Sequence, residues 1–320
     1  MAAAGCLRVT GWRFGRIAAM LAAGLLGGCQ VGPAFRSPTL AVPPRFAAAS
    51  PANAPPAWPQ PGWWRAFGSP ELSGLVEAAR THNFSVREAV AQLEIANAEV
   101  LGAGAPLFPT ISASGSGTYS QYGSAASGGS SSGGRSGGGG GSVDTHSYAA
   151  SFNASYEIDF WGKNRDALEA AEANAASARF NAATVALTEE AAVATTYFQA
   201  LAYADQLRTA RRNLTAARGL LAQLQGEFRA GVADAPTVAQ QAALVAAEAA
   251  TIPNYTSLYR QEVIALGILT GQAPEYLTVH GGSLDDLRVP VIRPGLPSQL
   301  LTRRPDIAQA TENLVSANAS

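Results

Sequence analysis

The sequence predicts an α+β membrane protein whose β-strands cross a bilayer and continue into long coiled-coil helices. Three observations predict it. First, two stretches alternate strictly. Tyr148, Ala150, Phe152, Ala154, Tyr156, Ile158 and Phe160 are interleaved with Ala149, Ser151, Asn153, Ser155, Glu157 and Asp159, and Ile111, Ala113, Gly115, Gly117 and Tyr119 with Ser112, Ser114, Ser116, Thr118 and Ser120. A period of two defines a strand with two unlike faces. Second, the alternation stops at Trp161-Gly162-Lys163, and from Asn164 to Arg229 there is no Pro and only two Gly. A helix of that span extends roughly 100 Å at 1.5 Å per residue, far beyond the usual ~10–14 residues. Third, no apolar run reaches the ~18 residues of a spanning helix. Any bilayer crossing therefore falls to strands.

The chain has 320 residues, a net charge of −1 and 14% charged residues, which excludes nucleic-acid binding by bulk electrostatics. Arg8, Arg13 and Arg16 precede an apolar run from Ile17 to Leu26, followed by Leu26-Gly27-Gly28-Cys29. Basic residues, a short apolar run and small residues before a cut make a secretory signal. The Leu-Gly-Gly-Cys ending resembles a bacterial lipobox, so 1–28 is expected to be a lipoprotein signal peptide and Cys29 a lipidated, palmitate-bearing first residue. The second cysteine, Cys6, falls in the removed segment, so no disulfide framework is implied.

Residues 29–68 are expected to form an extended Pro-rich arm. Ser69-Pro70-Glu71 reads as an N-cap, a first-turn Pro and an acid at the positive helix end, giving a helix over 70–80. Val86, Ala89, Val90, Leu93, Ala96 and Val100 recur at helical spacing and predict a second helix over 84–102. Trp63, Trp64 and Phe67 are expected to pack against these helices. Strands follow over 108–122 and 145–160, joined by a Gly/Ser loop at 123–142. Aromatics gather near the strand ends (Phe108, Tyr119, Tyr122, Tyr148, Phe160 and Trp161), as in the interfacial girdles of membrane barrels, where one face meets lipid and the other a polar lumen.

The long helix is expected over 163–230. Leu207, Leu214, Leu221 and Phe228 recur every seven residues, and Ala210, Ala217 and Leu224 follow the first three by three, a seam that admits a close partner. Gly231-Val232-Ala233-Asp234 breaks the helix. A return helix over 236–270 carries Val238, Val245, Ile252, Tyr259 and Leu266 at the same interval, with Pro253 expected to kink or briefly interrupt it. The tight turn makes the two helices antiparallel. A linker follows at 272–299. Residues 300–320 then match the region of the second helix: Ala310, Leu314, Ala317, Asn318 and Ala319 align with Ala89, Leu93, Ala96, Asn97 and Ala98 at one offset (310 − 89 = 221). On this reading 69–271 is a first repeat, and 300–320 opens a second that the sequence cuts short.

Several motifs together carry a family resemblance: Cys29-Gln30-Val31-Gly32-Pro33, Trp63-Trp64, Leu107-Phe108-Pro109, the run from Tyr156 through Lys163, Gly231-Val232-Ala233, and Leu301 through Ile307. In these the chain resembles the outer membrane factors, the TolC-like channels of tripartite efflux and secretion systems, and most closely their NodT-like lipoprotein branch. The resemblance implies a passive homotrimeric conduit from periplasm to exterior, with four strands per protomer in one shared outer-membrane barrel. This chain supplies about two of those four, and alone is not expected to form a working channel. The resemblance further implies helices in a periplasmic tunnel, an acyl anchor at Cys29 in outer-membrane lipid, and an adaptor-docking turn at Gly231, Val232, Ala233 and Asp234. Its partners would be a periplasmic adaptor and an inner-membrane pump.

The residues point to no catalytic, cofactor-binding or metal site, and the protein is not expected to be an enzyme. His82, His146 and His280 lack metal-ligand spacing. Glu157 and Asp159 are expected on the polar strand face, lining a lumen or pairing with Lys163 and Arg165, rather than in acid–base work. Two alternatives stand beside the channel reading: a truncated, non-functional fragment of such a protein, and a periplasmic adaptor-type coiled-coil lipoprotein. The second would need β-rich domains flanking the helical hairpin, which 30–160 do not supply.

Overall fold

The computed structural model describes residues 35–44, 46, 61–122, 143–291 and 296–320. The expected signal peptide, Cys29, the Gly/Ser loop and much of the expected arm lie outside the described residues. Helices α1 (Pro70–His82) and α2 (Phe84–Gly104) lead to strands β1 (Thr110–Tyr122) and β2 (Val143–Ser155). Helices α3 (Lys163–Arg229), α4 (Ala235–Thr270), α5 (Pro297–Arg303) and α6 (Pro305–Ala319) follow. Among the described residues no helix is long and apolar enough to cross a membrane. The described residues fall into two compact units, Leu101–Leu168 and Pro33–Val100 with Glu169–Ser320.

In the first unit β1 and β2 form an antiparallel two-stranded sheet. Both strands differ from expectation at their inner ends. β1 begins at Thr110, not 108, because the Phe108 N–H closes a 3-10 turn onto Ala105 O (3.1 Å) and Pro109 has no N–H to give. β2 spans 143–155 rather than 145–160. Its last residue, Ser155, sits opposite the first of β1, so Tyr156–Phe160 keep the alternation without a partner among the described residues. The chain then turns through Gly162 at φ 86, a left-handed conformation that suits glycine.

The second unit holds the core. Leu72, Leu75, Val76 and Ala79 of α1 pack with Val193, Ala194, Tyr197, Ala200 and Leu201 of α3 and Leu266 of α4. Trp64 joins them at 2% exposure. Residues 63–67, expected in an extended arm, form a 3-10 turn that delivers this indole. Each large side chain buried in this way stabilises the fold by about 1.5–3 kcal/mol. Helix α1 starts where Ser69 Oγ accepts the Leu72 N–H (3.1 Å) and runs to His82, two residues past expectation. Asn83 separates α1 from α2. Its Oδ1 takes the Val86 N–H, and its Nδ2 donates to Glu189 (2.8 Å) and to Leu269 O (2.9 Å), which fixes both helices against α3 and α4.

The heptad seam of α3 is uneven. Leu207, Ala210 and Leu214 are buried, whereas Phe228, nearer the turn, is exposed. Helix α4 begins one residue before expectation and is not interrupted at Pro253. The proline removes one backbone donor without ending the helix; nearer the turn, Gln241 Nε2 donates to Ala217 O of α3 (3.0 Å). The expected linker 272–299 is shorter, since α5 begins at Pro297. The boundary between α5 and α6 falls at Arg304, and α6 starts at Pro305. Both repeat the Asn83 and Phe84 positions at the offset of 221 residues (304 − 83 and 305 − 84).

Candidate functional site

The hairpin register sorts its two faces. Ile111 pairs with Ala154, Ala113 with Phe152, Gly115 with Ala150 and Gly117 with Tyr148, so these positions of both strands share one face. Tyr148 lies over Gly117, 3.4 Å from where a Cβ would sit. On the other face Ser114 faces Ser151 and Thr110 faces Ser155, each pair joined by a hydroxyl–hydroxyl hydrogen bond of 2.8 Å. Ile111 is 78% exposed, and Tyr148 and Phe152 are each 84% exposed. Among the described residues no third strand joins either edge, and a two-stranded ribbon with aromatic side chains in the open has little independent stability in water.

The strand-to-helix junction is fixed by Asp159. Its Oδ2 accepts the backbone N–H groups of Asn164 and Arg165, both at 3.1 Å. These are two of the donors that the first turn of α3 leaves unpaired. Arg165 also donates from its guanidinium to Asp159 O (3.1 Å). The expected place of Asp159 on a polar strand face is therefore corrected: it lies beyond the strand and caps a helix. Nearby Phe160 and Trp161 meet edge to face at 5.9 Å and remain exposed.

The turn at Gly231–Asp234 is built from two capping motifs. At the end of α3 the Val232 N–H returns to Glu227 O (2.9 Å) and the Gly231 N–H to Phe228 O (3.0 Å), with Gly231 left-handed at φ 76. At the start of α4 the Asp234 carboxylate accepts the Thr237 N–H (3.1 Å). The bond from the Thr237 side chain, with help from that N–H, holds Asp234 below the usual carboxylate range. Val232 stands out at 79% exposure. The result is a small, exposed turn capped at both ends.

Among the described residues no group of three or more His, Cys, Asp or Glu is placed to hold a metal ion. His146 rests against Tyr119, with ring centroids 4.9 Å apart, and the His82 Nδ1 shares a 2.7 Å contact with Thr81 Oγ1. Sequence reasoning missed how residues 277–288 are strapped to the core. Glu71 Oε1 accepts the His280 N–H (2.7 Å), Asp205 accepts Ser283 Oγ (2.8 Å) and the Leu284 N–H (2.9 Å), and the Arg288 N–H reaches Phe67 O (3.0 Å). Glu71 also accepts the Tyr197 hydroxyl (3.1 Å), and burial raises the pKa of that phenol. Burial likewise raises Glu190, with the Arg80 guanidinium at 3.4 Å opposing it. No spacing in the sequence announces these partners, which lie more than 70 residues apart.

A two-faced hairpin that leads through a capped junction into a coiled-coil helical pair defines the TolC-like fold of outer-membrane channels. The comparisons with known proteins agree. The outer membrane efflux protein family matches over residues 75–272, and the chain belongs to that family. The chain is 37% identical over 299 residues to the pyoverdine export outer membrane protein OpmQ of Pseudomonas aeruginosa, covering 92% of this chain and 61% of that protein. It is 28% identical over 301 residues to the cation efflux system protein CusC of Escherichia coli, covering 92% and 61%. Among solved structures, the outer-membrane channel OprN superposes with a TM-score of 0.76 at 26% identity, covering 91% of this chain and 63% of that one. The chain thus spans about three fifths of the length of the curated relatives it matches.

Proposed function

We propose that this protein is the outer-membrane component of a tripartite export system, a passive conduit rather than an enzyme. The observation that carries the reading is the hairpin register, which puts Ile111, Ala113, Tyr148, Ala150, Phe152 and Ala154 on one face and the Ser and Thr hydroxyls on the other. Such a ribbon suits a barrel wall with lipid outside and water within. The conduit works as a homotrimer, anchored in outer-membrane lipid by an acylated Cys29. The tip at Gly231–Asp234 meets a periplasmic adaptor, and an inner-membrane pump supplies the energy. The cargo is a small molecule. The named relatives export a substance as large as pyoverdine and substances as small as cations, so cargo choice in this architecture rests with the pump rather than with shared features of the conduit. The test is direct: the full-length protein, purified in detergent, runs as a trimer and conducts ions in planar lipid bilayers. A monomer that gives no conductance refutes the channel reading.

A further inference from the structure

The hydroxyl face of the hairpin carries more information than polarity. Between Thr110 and Ser120 on β1 and between Thr145 and Ser155 on β2, ten of the twelve side chains on this face are Ser or Thr. The other two are Ala149 and Asn153. None is ionisable. The acid and the imidazole of the described hairpin, Asp144 and His146, fall on the opposite face, across from Gln121 and Tyr119. Two pairs on this face satisfy each other. Ser114 bonds Ser151 and Thr110 bonds Ser155 across the strands, so these hydroxyls need no cargo or ion to complete them and exchange freely with water. Their side chains are short and leave the space above the sheet open.

Resting on the conduit reading, we infer that the wall this hairpin gives the membrane channel is electrically neutral and admits hydrated cargo of either charge sign. Rings of charged side chains are what make a pore prefer one sign, because they concentrate counter-ions locally. This face has no such ring. An anion, a cation and a neutral polar solute of equal size meet the same row of rotatable O–H dipoles, each able to donate or accept. The membrane section then sorts by size and hydration, and any preference for charge arises from other parts of the pathway.

The test uses the full-length protein in planar bilayers under a KCl gradient. Ser114 lies mid-strand, so Ser114→Asp and Ser114→Lys place opposite charges on an otherwise neutral wall. Ser114→Asp is expected to raise the K⁺-to-Cl⁻ permeability ratio at least about threefold, and Ser114→Lys to lower it by a similar factor. Ser114→Asn leaves the ratio at the unmodified value. If the charged variants fail to insert, Ser114→Cys is assembled first and then modified with cationic or anionic thiol reagents, with the same expected opposition. A channel that conducts but whose ratio ignores charge at position 114 overturns the inference, as does a response in only one direction, which would reveal a wall already charged. Absence of conductance in the unmodified protein overturns the conduit reading instead.

Discussion

Gly271 and Gly231 are both left-handed, at φ 66 and φ 76, and both end a helix, yet alanine at the two sites should have very different effects. At either position a Cβ in the left-handed region costs about 1–2 kcal/mol. At Gly231 nothing lies within 4 Å of the new methyl, so that cost stands alone. At Gly271 the methyl would sit 2.6 Å from the carbonyl oxygen of His82 and 3.1 Å from its carbon. The obstruction is backbone, so no side chain can swing aside. Either α1 or the end of α4 must move, at a further cost of about 1–3 kcal/mol typical of overpacking. For a helical unit of roughly 200 residues, each kcal/mol is worth about 2–4 °C of melting temperature. Gly271→Ala should therefore melt roughly 2–12 °C below Gly231→Ala, followed by helical circular dichroism of the detergent-solubilised protein. Equal melting temperatures, or a lower one for Gly231→Ala, would show that the close approach of α4 to α1 does not limit stability.

Three other outcomes follow from named contacts. Asp159→Ala leaves two first-turn donors of α3 without their acceptor and should cost about 1 kcal/mol; amide exchange at Asn164 and Arg165 should quicken, and unchanged protection there would contradict the capping role. Asp234 has a depressed pKa in the folded state, so its stabilising bond to Thr237 is fully present above the unfolded carboxylate value and is lost as pH falls through the folded one. Relative to intrinsic rates, protection of the Thr237 amide should thus stay flat from neutral pH to about 5 and decline below about 4, and Asp234→Ala should remove that dependence. Cys29→Ser should abolish labelling by a radioactive or clickable fatty acid; persistent labelling would disprove acylation at this residue.

The sequence disclosed what is periodic and hid what is long-range. Alternation at Ile111–Tyr119 and Tyr148–Ala154 located both strands and their faces, because a strand exposes its side chains by simple parity. Heptads located α3 and α4 for a similar reason. Parity also misled: Tyr156, Ile158 and Phe160 continue the pattern past Ser155, but β1 offers no residue beyond Thr110 for them to pair with. Alternation reports which way a side chain points, whereas a strand also needs a neighbour. The interruption expected at Pro253 is absent, because one missing donor does not by itself end a helix of 36 residues. The placement of Asp159 depended on a turn at Gly162 that no periodicity encodes. The strap at 277–288 depended on Glu71 and Asp205, each of which reads in sequence only as an ordinary helical acid.

The breaks at Asn83 and Arg304 carry the repeat further than the five aligned side chains do. Ala-rich helices match one another easily, so Ala310 against Ala89 is weak support by itself. A helix boundary is a different kind of observation, because it depends on backbone conformation rather than composition. Asn83 and Arg304 both adopt extended backbone, at ψ 132 and ψ 121, and each separates two consecutive helices at the same offset of 221 residues (304 − 83). The two breaks are made by different chemistry. Asn83 uses its amide to cap the following helix and to tie it to α3 and α4. At Arg304, proline at 305 restricts the preceding residue to extended backbone, and the guanidinium pairs with Asp306 in the first turn of α6. The two pivots thus share a conformation while differing in side chain, as expected if the backbone bend, rather than either residue, is what both helical pairs require.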